Sequence, residues 1–132
     1  MNQAKHYQLG KLGERLAVGF LLSEGYVILD QNWRLNNLEV DIIADDGEYI
    51  VFIEVKTRSS DKYGAPEEAV DREKRMNLIN AADVYVNKLH VDVQVRFDII
   101  SIIANDNETK IEHLKDAFFP GDDWIDDLPG NT

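Results

Sequence analysis

Two short apolar segments joined by Asp45-Asp46-Gly47 constrain this chain more than any other feature. Leu38 to Ala44 and Glu48 to Thr57 have the length and β-branched content of strands, and an Asp-Gly dipeptide between such runs is a strong hairpin signal. Each segment nevertheless places charge where a sheet wants apolar residues: Glu39-Val40-Asp41 in the first, Glu54-Val55-Lys56 in the second. With Asp46-Gly47 as a two-residue turn, Asp45 faces Glu48, Ile43 faces Ile50, Asp41 faces Phe52 and Glu39 faces Glu54. Side chains alternate along a strand. Glu39, Asp41, Glu54 and Lys56 therefore share one face with Ile43 and Phe52, which makes that face partly buried. Val40, Ile42, Val51, Ile53 and Val55 form the other, wholly apolar face, which should meet a helix. A one-residue slip would scramble both sets.

Carboxylates gathered on one face repel each other. Two changes relieve the repulsion: a raised carboxyl pKa or a bound cation. Carboxylate and carbonyl oxygens suit hard divalent ions, Mg²⁺ or Mn²⁺, so Asp41, Glu54, Glu39 and the Val55 carbonyl are the candidate ligands. Lys56 discriminates between chemistries. A pair of carboxylates that only holds a metal needs no lysine, whereas a metal-dependent phosphodiesterase gains from an ammonium that orients water and balances charge on the transition state. The alternative is a half-exposed hairpin with one cross-strand Lys–Glu pair.

Upstream, residues from about Gln3 to Glu24 read as a helix, with Leu9, Leu12, Leu16 and Phe20 at helical spacing and Ala17, Leu21 and Leu22 widening the stripe. Gly25 suits its stop. Glu14 lies within this apolar stretch between small residues. Gly10 and Gly13 would let the helix approach the sheet and bring Glu14 over the acids; otherwise Glu14 is an exposed residue paired with Lys11 or Arg15. Tyr26 to Leu29 reads as a strand. Arg58 to Ala65 reads as a loop, and Pro66 opens a helix that runs to about Lys88 and buries Ala69, Met76, Ile79, Ala82 and Val86, with a break near Asp71. Val91 to Ile103 reads as a strand entering the sheet interior, and Lys110 to Leu114 as a last one. The order α-β-β-β-α-β, with one more β, predicts an α/β fold with a mixed sheet flanked by helices.

The 132 residues, 44% of them hydrophobic, fit one domain, taken as 1–115, followed by an acidic tail, 116–132, in which Phe118, Phe119 and Trp124 are candidate anchors. The absence of cysteine excludes disulfides and thiolate metal sites. With no apolar span and no signal-peptide core at the start, a cytoplasmic protein without a membrane partner is the expectation. The net charge of −11 counts against a generic nucleic-acid binder. It is uneven, since the tail carries five acids and no Lys or Arg, and the rest of the chain stands at −6. His6, His90 and His113 show no ligand spacing and read as surface positions. Trp33 and Tyr63 read as packing residues before base-stacking ones.

Several motifs together resemble the YraN-like family of uncharacterised, endonuclease-like bacterial proteins. They are Gly13-Glu14 with Ala17; Gly25-Tyr26 with Ile28-Leu29 and Asn32-Trp33-Arg34; Glu39 to Ile43; Val51 to Arg58; Gly64 to Val70; and Lys74 with Ala81-Ala82 and Tyr85. The resemblance spans roughly residues 9 to 103. It implies a restriction-endonuclease-like fold near the Holliday-junction resolvases and a Mg²⁺-dependent nuclease core. Glu14, Asp41, Glu54 and Lys56 would be catalytic, with Arg58 and Lys74 as nucleic-acid contacts. The expected partner is DNA rather than RNA, branched or single-stranded. A homodimer would suit a two-strand substrate. The chain is more acidic than resolvases, which leaves open a non-catalytic module that keeps the nuclease fold and binds nucleic acid or a regulatory protein partner.

Overall fold

The computed structural model describes residues 3–60 and 70–120. Seven elements follow in order: α1 (Gln3–Ser23), β1 (Val27–Leu35), β2 (Leu38–Asp45), β3 (Tyr49–Arg58), α2 (Arg72–Asn87), β4 (Gln94–Ala104) and β5 (Thr109–Leu114). The predicted α/β order holds, with the extra final strand. All five strands form one mixed sheet in the order β1-β2-β3-β4-β5. Only β3 and β4 run parallel, because α2 lies between them and returns the chain to the starting end, as a parallel connection requires.

One helix covers each face. Ala17 and Leu21 of α1 are fully buried against Ile42, Val51, Ile53, Ile100 and Ile102. Leu78, Ala81 and Ala82 of α2 are buried against Ile43, Phe52, Phe97 and Ile99 on the opposite face. The buried stripe of α1 is narrower than its leucines suggest, since Leu12 and Leu22 remain exposed. On α2 the stripe is centred on Leu78 rather than Met76. The helix there starts at Asp71, whose carboxylate caps it by accepting the Lys74 N–H at 3.0 Å. The expected start at Pro66, like Ala69 and Tyr63, lies outside the described residues.

Strand β1 is longer than its apolar run, reaching Leu35 through Asp30-Gln31-Asn32. Pairing with β2 carries these weak strand formers, at the cost of a register shift between Ile28 and Asp30 and a left-handed Asn32 at φ 51°. Past β5, the Ala117 N–H donates to the Phe97 carbonyl at 2.8 Å, and buried Phe118 stacks on Phe97. Phe118 is thus an anchor, whereas Phe119 is exposed, and Trp124 lies outside the described residues. No described helix is long and apolar enough to cross a membrane.

The hairpin departs from its expected register. Asp46 N–H donates to the Tyr49 carbonyl, so the turn residues are Gly47 and Glu48, with Gly47 at φ 99°. The Asp46 carboxylate accepts both the Glu48 and Tyr49 N–H groups, a side-chain turn that outcompetes Asp46-Gly47 as the corner. Moving the corner by one residue moves every partner by two: Asp45 faces Ile50 and Ile43 faces Phe52. A shift of two preserves side-chain alternation. Ile43 and Phe52 therefore stay together against α2, while Ile42, Val51, Ile53 and Val55 meet α1. Two details change. Glu39 is no longer placed opposite Glu54, and Val40 packs with the α2-side cluster, next to Trp33.

Candidate functional site

Pairing between β2 and β3 ends at Ile42–Ile53, just where the acids begin. Beyond that point the Asp41 carboxylate takes over the strand's role, and its Oδ2 accepts the Val55 N–H at 2.8 Å. A strand residue's carbonyl leaves the backbone on the same edge as its N–H, so the Val55 carbonyl also faces β2. Burial is the main reason the Asp41 carboxyl is pushed up to about 7; the neighbouring Glu54, Glu14 and Glu39 add to it, against the Val55 hydrogen bond. Glu54 is also raised, again by burial first, although Lys74, a hydrogen bond with Asp41 and Lys56 pull it down. The two carboxyls are both raised and titrate as one unit. Lys74 Nζ, from the first turn of α2, lies 3.7 Å from Glu54 Oε1. The residue expected to meet nucleic acid thus also touches the acid pair.

Glu14 reaches the cluster because α1 lies very close to β3. Gly13 sits against Thr57, and a Cβ at Gly13 would overlap the Thr57 side chain. Gly10 has open space around it and needs no such explanation. Glu14 Oε2 accepts the Asn32 side-chain amide at 3.3 Å. Asn32 is a site residue whose role the linear pattern hides, because its left-handed backbone interrupts the alternation of β1. Glu39 is half-exposed and pairs with Arg34 at 3.1 Å, so it adds repulsion to Asp41 while facing solvent. Lys56 and Arg58 lie half-buried along the same stretch of β3.

Among the described residues, no three Asp, Glu or His side chains converge into a ready-made metal cage. Magnesium seldom uses one; it is commonly held by one or two carboxylates, with water and substrate oxygens completing the shell. Asp41, Glu54 and the Val55 carbonyl fit that description. They are two half-buried carboxyls under mutual repulsion and an oxygen at the gap in the sheet.

A second charged cluster lies on the α1 face. Arg96 donates to both oxygens of fully buried Asp98 at 2.9 Å, to Asp46 at 2.7 Å and to the Tyr26 hydroxyl at 2.7 Å. His113 Nε2 lies 2.7 Å from Asp98 Oδ2, and Asp116 N–H donates to Oδ1. His113 is therefore a buried network residue, with Phe20 and Tyr26 rings against it, rather than a surface one. The signal was Arg96 and Asp98 two apart inside an apolar strand, hence on one face and mutually paired. Trp33 packs edge-on against Tyr85, as a packing residue should.

Residues 13–102 match the family described as uncharacterised protein family UPF0102, a stretch that contains the whole acid cluster. The chain belongs to this family. It is 45% identical to a UPF0102 protein of Bacteroides thetaiotaomicron, over 89% of this chain and 97% of that one. A UPF0102 protein of Christiangramia forsetii is 48% identical over 88% of this chain and 98% of its own. One from Thermodesulfovibrio yellowstonii is 49% identical over 85% and 96%. Family membership therefore rests on nearly the full length of the relatives, and the site must be argued from its own chemistry.

Proposed function

We propose that this UPF0102 protein is a divalent-cation-dependent endonuclease with a restriction-endonuclease-like core, acting on DNA. The observation that carries this reading is Asp41: a half-buried carboxyl beside Glu54 that takes the Val55 N–H where two strands part, its pKa pushed up to about 7. Strongly perturbed acids of this kind mark functional sites more often than structural ones. The element order and the parallel β3–β4 crossover support the fold assignment.

A divalent ion held by Asp41, Glu54 and the Val55 carbonyl would neutralise the acid pair and polarise a phosphodiester. Lys56 offers an ammonium to orient the attacking water and offset charge on the phosphoryl oxygens. Glu14, hydrogen-bonded by Asn32, would accept a proton from that water. Lys74, 3.7 Å from Glu54, would offset part of its charge before an ion binds.

Purified protein with Mg²⁺ or Mn²⁺ is expected to cut at least one of single-stranded, duplex or branched DNA, and Asp41→Ala to abolish cutting. Equal cutting by the variant, or no cutting of any form by the wild type, overturns the reading. Calorimetry with Mn²⁺ separates the remaining cases: ion binding without cleavage points to a non-catalytic binding module.

A further inference from the structure

Beside the acid pair, α1 and β1 enclose an open cleft of about 370 Å³. Gln8, Lys11 and Arg15 line one wall at the three- and four-residue spacings that stack side chains on one helix face. Gln31 and Asn32 line the other, from the irregular stretch of β1. Glu14 belongs to both the cleft and the acid cluster. It lines the cleft, accepts the Asn32 amide, and adds to the repulsion that raises Asp41. Glu14 is therefore the link between the cleft and the site.

The lining has a definite chemical character. It holds two cations, three carboxamides and one acid, in a chain whose net charge is −11. None of its lining residues is aromatic, so a base would find no stacking platform. Guanidinium, ammonium and carboxamide N–H groups are the usual donors to phosphate and sugar oxygens, which position a strand without reading its sequence. Amide donors on both walls suit a chain of phosphates lying between them better than one compact anion.

We propose that this cleft grips the sugar-phosphate backbone of the nucleic-acid strand presented to Asp41 and Glu54, with Lys11 and Arg15 each neutralising one phosphate. The proposal rests on the nuclease reading above and deepens it. It makes recognition of the strand sequence-independent and assigns it to α1 rather than to the acidic remainder of the surface.

The test is fluorescence anisotropy with a labelled single-stranded oligonucleotide and its duplex, in Ca²⁺ to favour binding without cutting. Three proteins are compared: wild type, Lys11→Gln/Arg15→Gln, and Lys88→Gln/Lys110→Gln, the last removing two exposed charges outside the cleft. Loss of two phosphate contacts should flatten the salt dependence of single-strand binding by about 1.4 in log–log slope and weaken binding at least about tenfold at low salt. Mn²⁺ affinity by calorimetry should stay at the wild-type value. Unchanged affinity and slope in the cleft variant overturn the proposal and leave the nuclease reading standing. An equal loss in the Lys88/Lys110 variant also overturns it, because the effect would then be general electrostatics. A wild type that binds neither strand nor duplex overturns both readings.

Discussion

Two charged clusters sit on the sheet, one buried and one half-buried, and they are in opposite electrostatic states. On the α1 face, Asp98 receives four hydrogen bonds, two from Arg96, one from His113 and one from the Asp116 backbone. Burial alone would raise its carboxyl, yet the His113, Arg96 and Asp116 contacts outweigh burial and hold it below the usual range. At the parting of β2 and β3, Asp41 receives one backbone N–H and faces three other acids, and it is raised. Desolvation acts alike on both. The difference lies in who supplies the compensation: the protein itself for Asp98, and a bound cation, on our reading, for Asp41. A buried cluster that satisfies itself fastens the fold, and one left unsatisfied is poised for a ligand.

The largest effect that can break this comparison is at Asp98. Asp98→Ala leaves Arg96 buried without its main partner, a loss that typically costs about 3–5 kcal/mol. Urea unfolding should show a lower midpoint at unchanged slope, their product accounting for that loss. A loss below about 1 kcal/mol would mean that Asp46 and Tyr26 satisfy Arg96 alone and that the cluster does not fasten the fold.

The opposite sign is expected at Asp41. Its folded pKa of about 7 lies above the unfolded value near 3.8. The folded state therefore binds the extra proton across that window, and stability falls as pH rises from about 4 to 7. The ceiling on that penalty is roughly 4 kcal/mol. Asp41→Asn keeps an oxygen for the Val55 N–H and removes the charge. In chelator at pH above 7 it should raise stability by about 1–3 kcal/mol and flatten the decline between pH 4 and 7. Asp98 contributes in the other direction: with a lowered folded pKa, its stabilisation is present above the unfolded value and is lost as acid protonates it. The variant should therefore keep the wild type's acid limb. A variant less stable than wild type at neutral pH would show that the acid pair is not repulsive in the folded protein.

The same contrast explains what could be read from sequence. The Asp41, Glu54, Lys56 face was legible because strand alternation has period two and the actual turn displaced the register by two. A displacement of one would have destroyed the reading. The burial of Ile43 and Phe52 beside the acids was legible for the same reason. Glu39 was misplaced because its partner depended on the corner residue, which the Asp46 side chain decides. His113 was missed because its partner Asp98 is fifteen residues away on another strand. Asn32 was missed because a positive φ breaks the alternation on which such arguments rest.

A smaller effect tests how Glu14 is delivered. Gly13→Ala should gain up to about 1 kcal/mol from helix propensity. The new methyl group would collide with Thr57, and overpacking of this kind costs typically 1–3 kcal/mol. Net destabilisation on thermal melting is expected, with Mn²⁺ affinity reduced as α1 moves off β3. A stabilised variant would mean that the helix can shift freely, and that the close approach does not set the position of Glu14.

The smallest effect separates backbone from side chain at Asn32. Its φ of 51° is a conformation glycine adopts at no steric cost, whereas alanine there is strained by about 1 kcal/mol or more. Asn32→Gly removes the amide that holds Glu14 and keeps the backbone, so unfolding stability should change by only a few tenths of a kcal/mol. Glu14 would then be free to turn from Asp41, and the Asp41 titration midpoint, followed by NMR of its carboxyl, should fall only slightly, since burial and Glu54 carry most of the shift. Asn32→Ala should give the same fall together with a clear loss of stability. If the midpoint does not move in either variant, Glu14 is held over the acid pair by the approach of α1 alone, and the Asn32 amide plays no part in the site. If it falls in the alanine variant only, the strain rather than the lost hydrogen bond moved Glu14. The glycine variant thus shows whether Glu14's share of the repulsion on Asp41 depends on a single side-chain amide or on the packing of the helix.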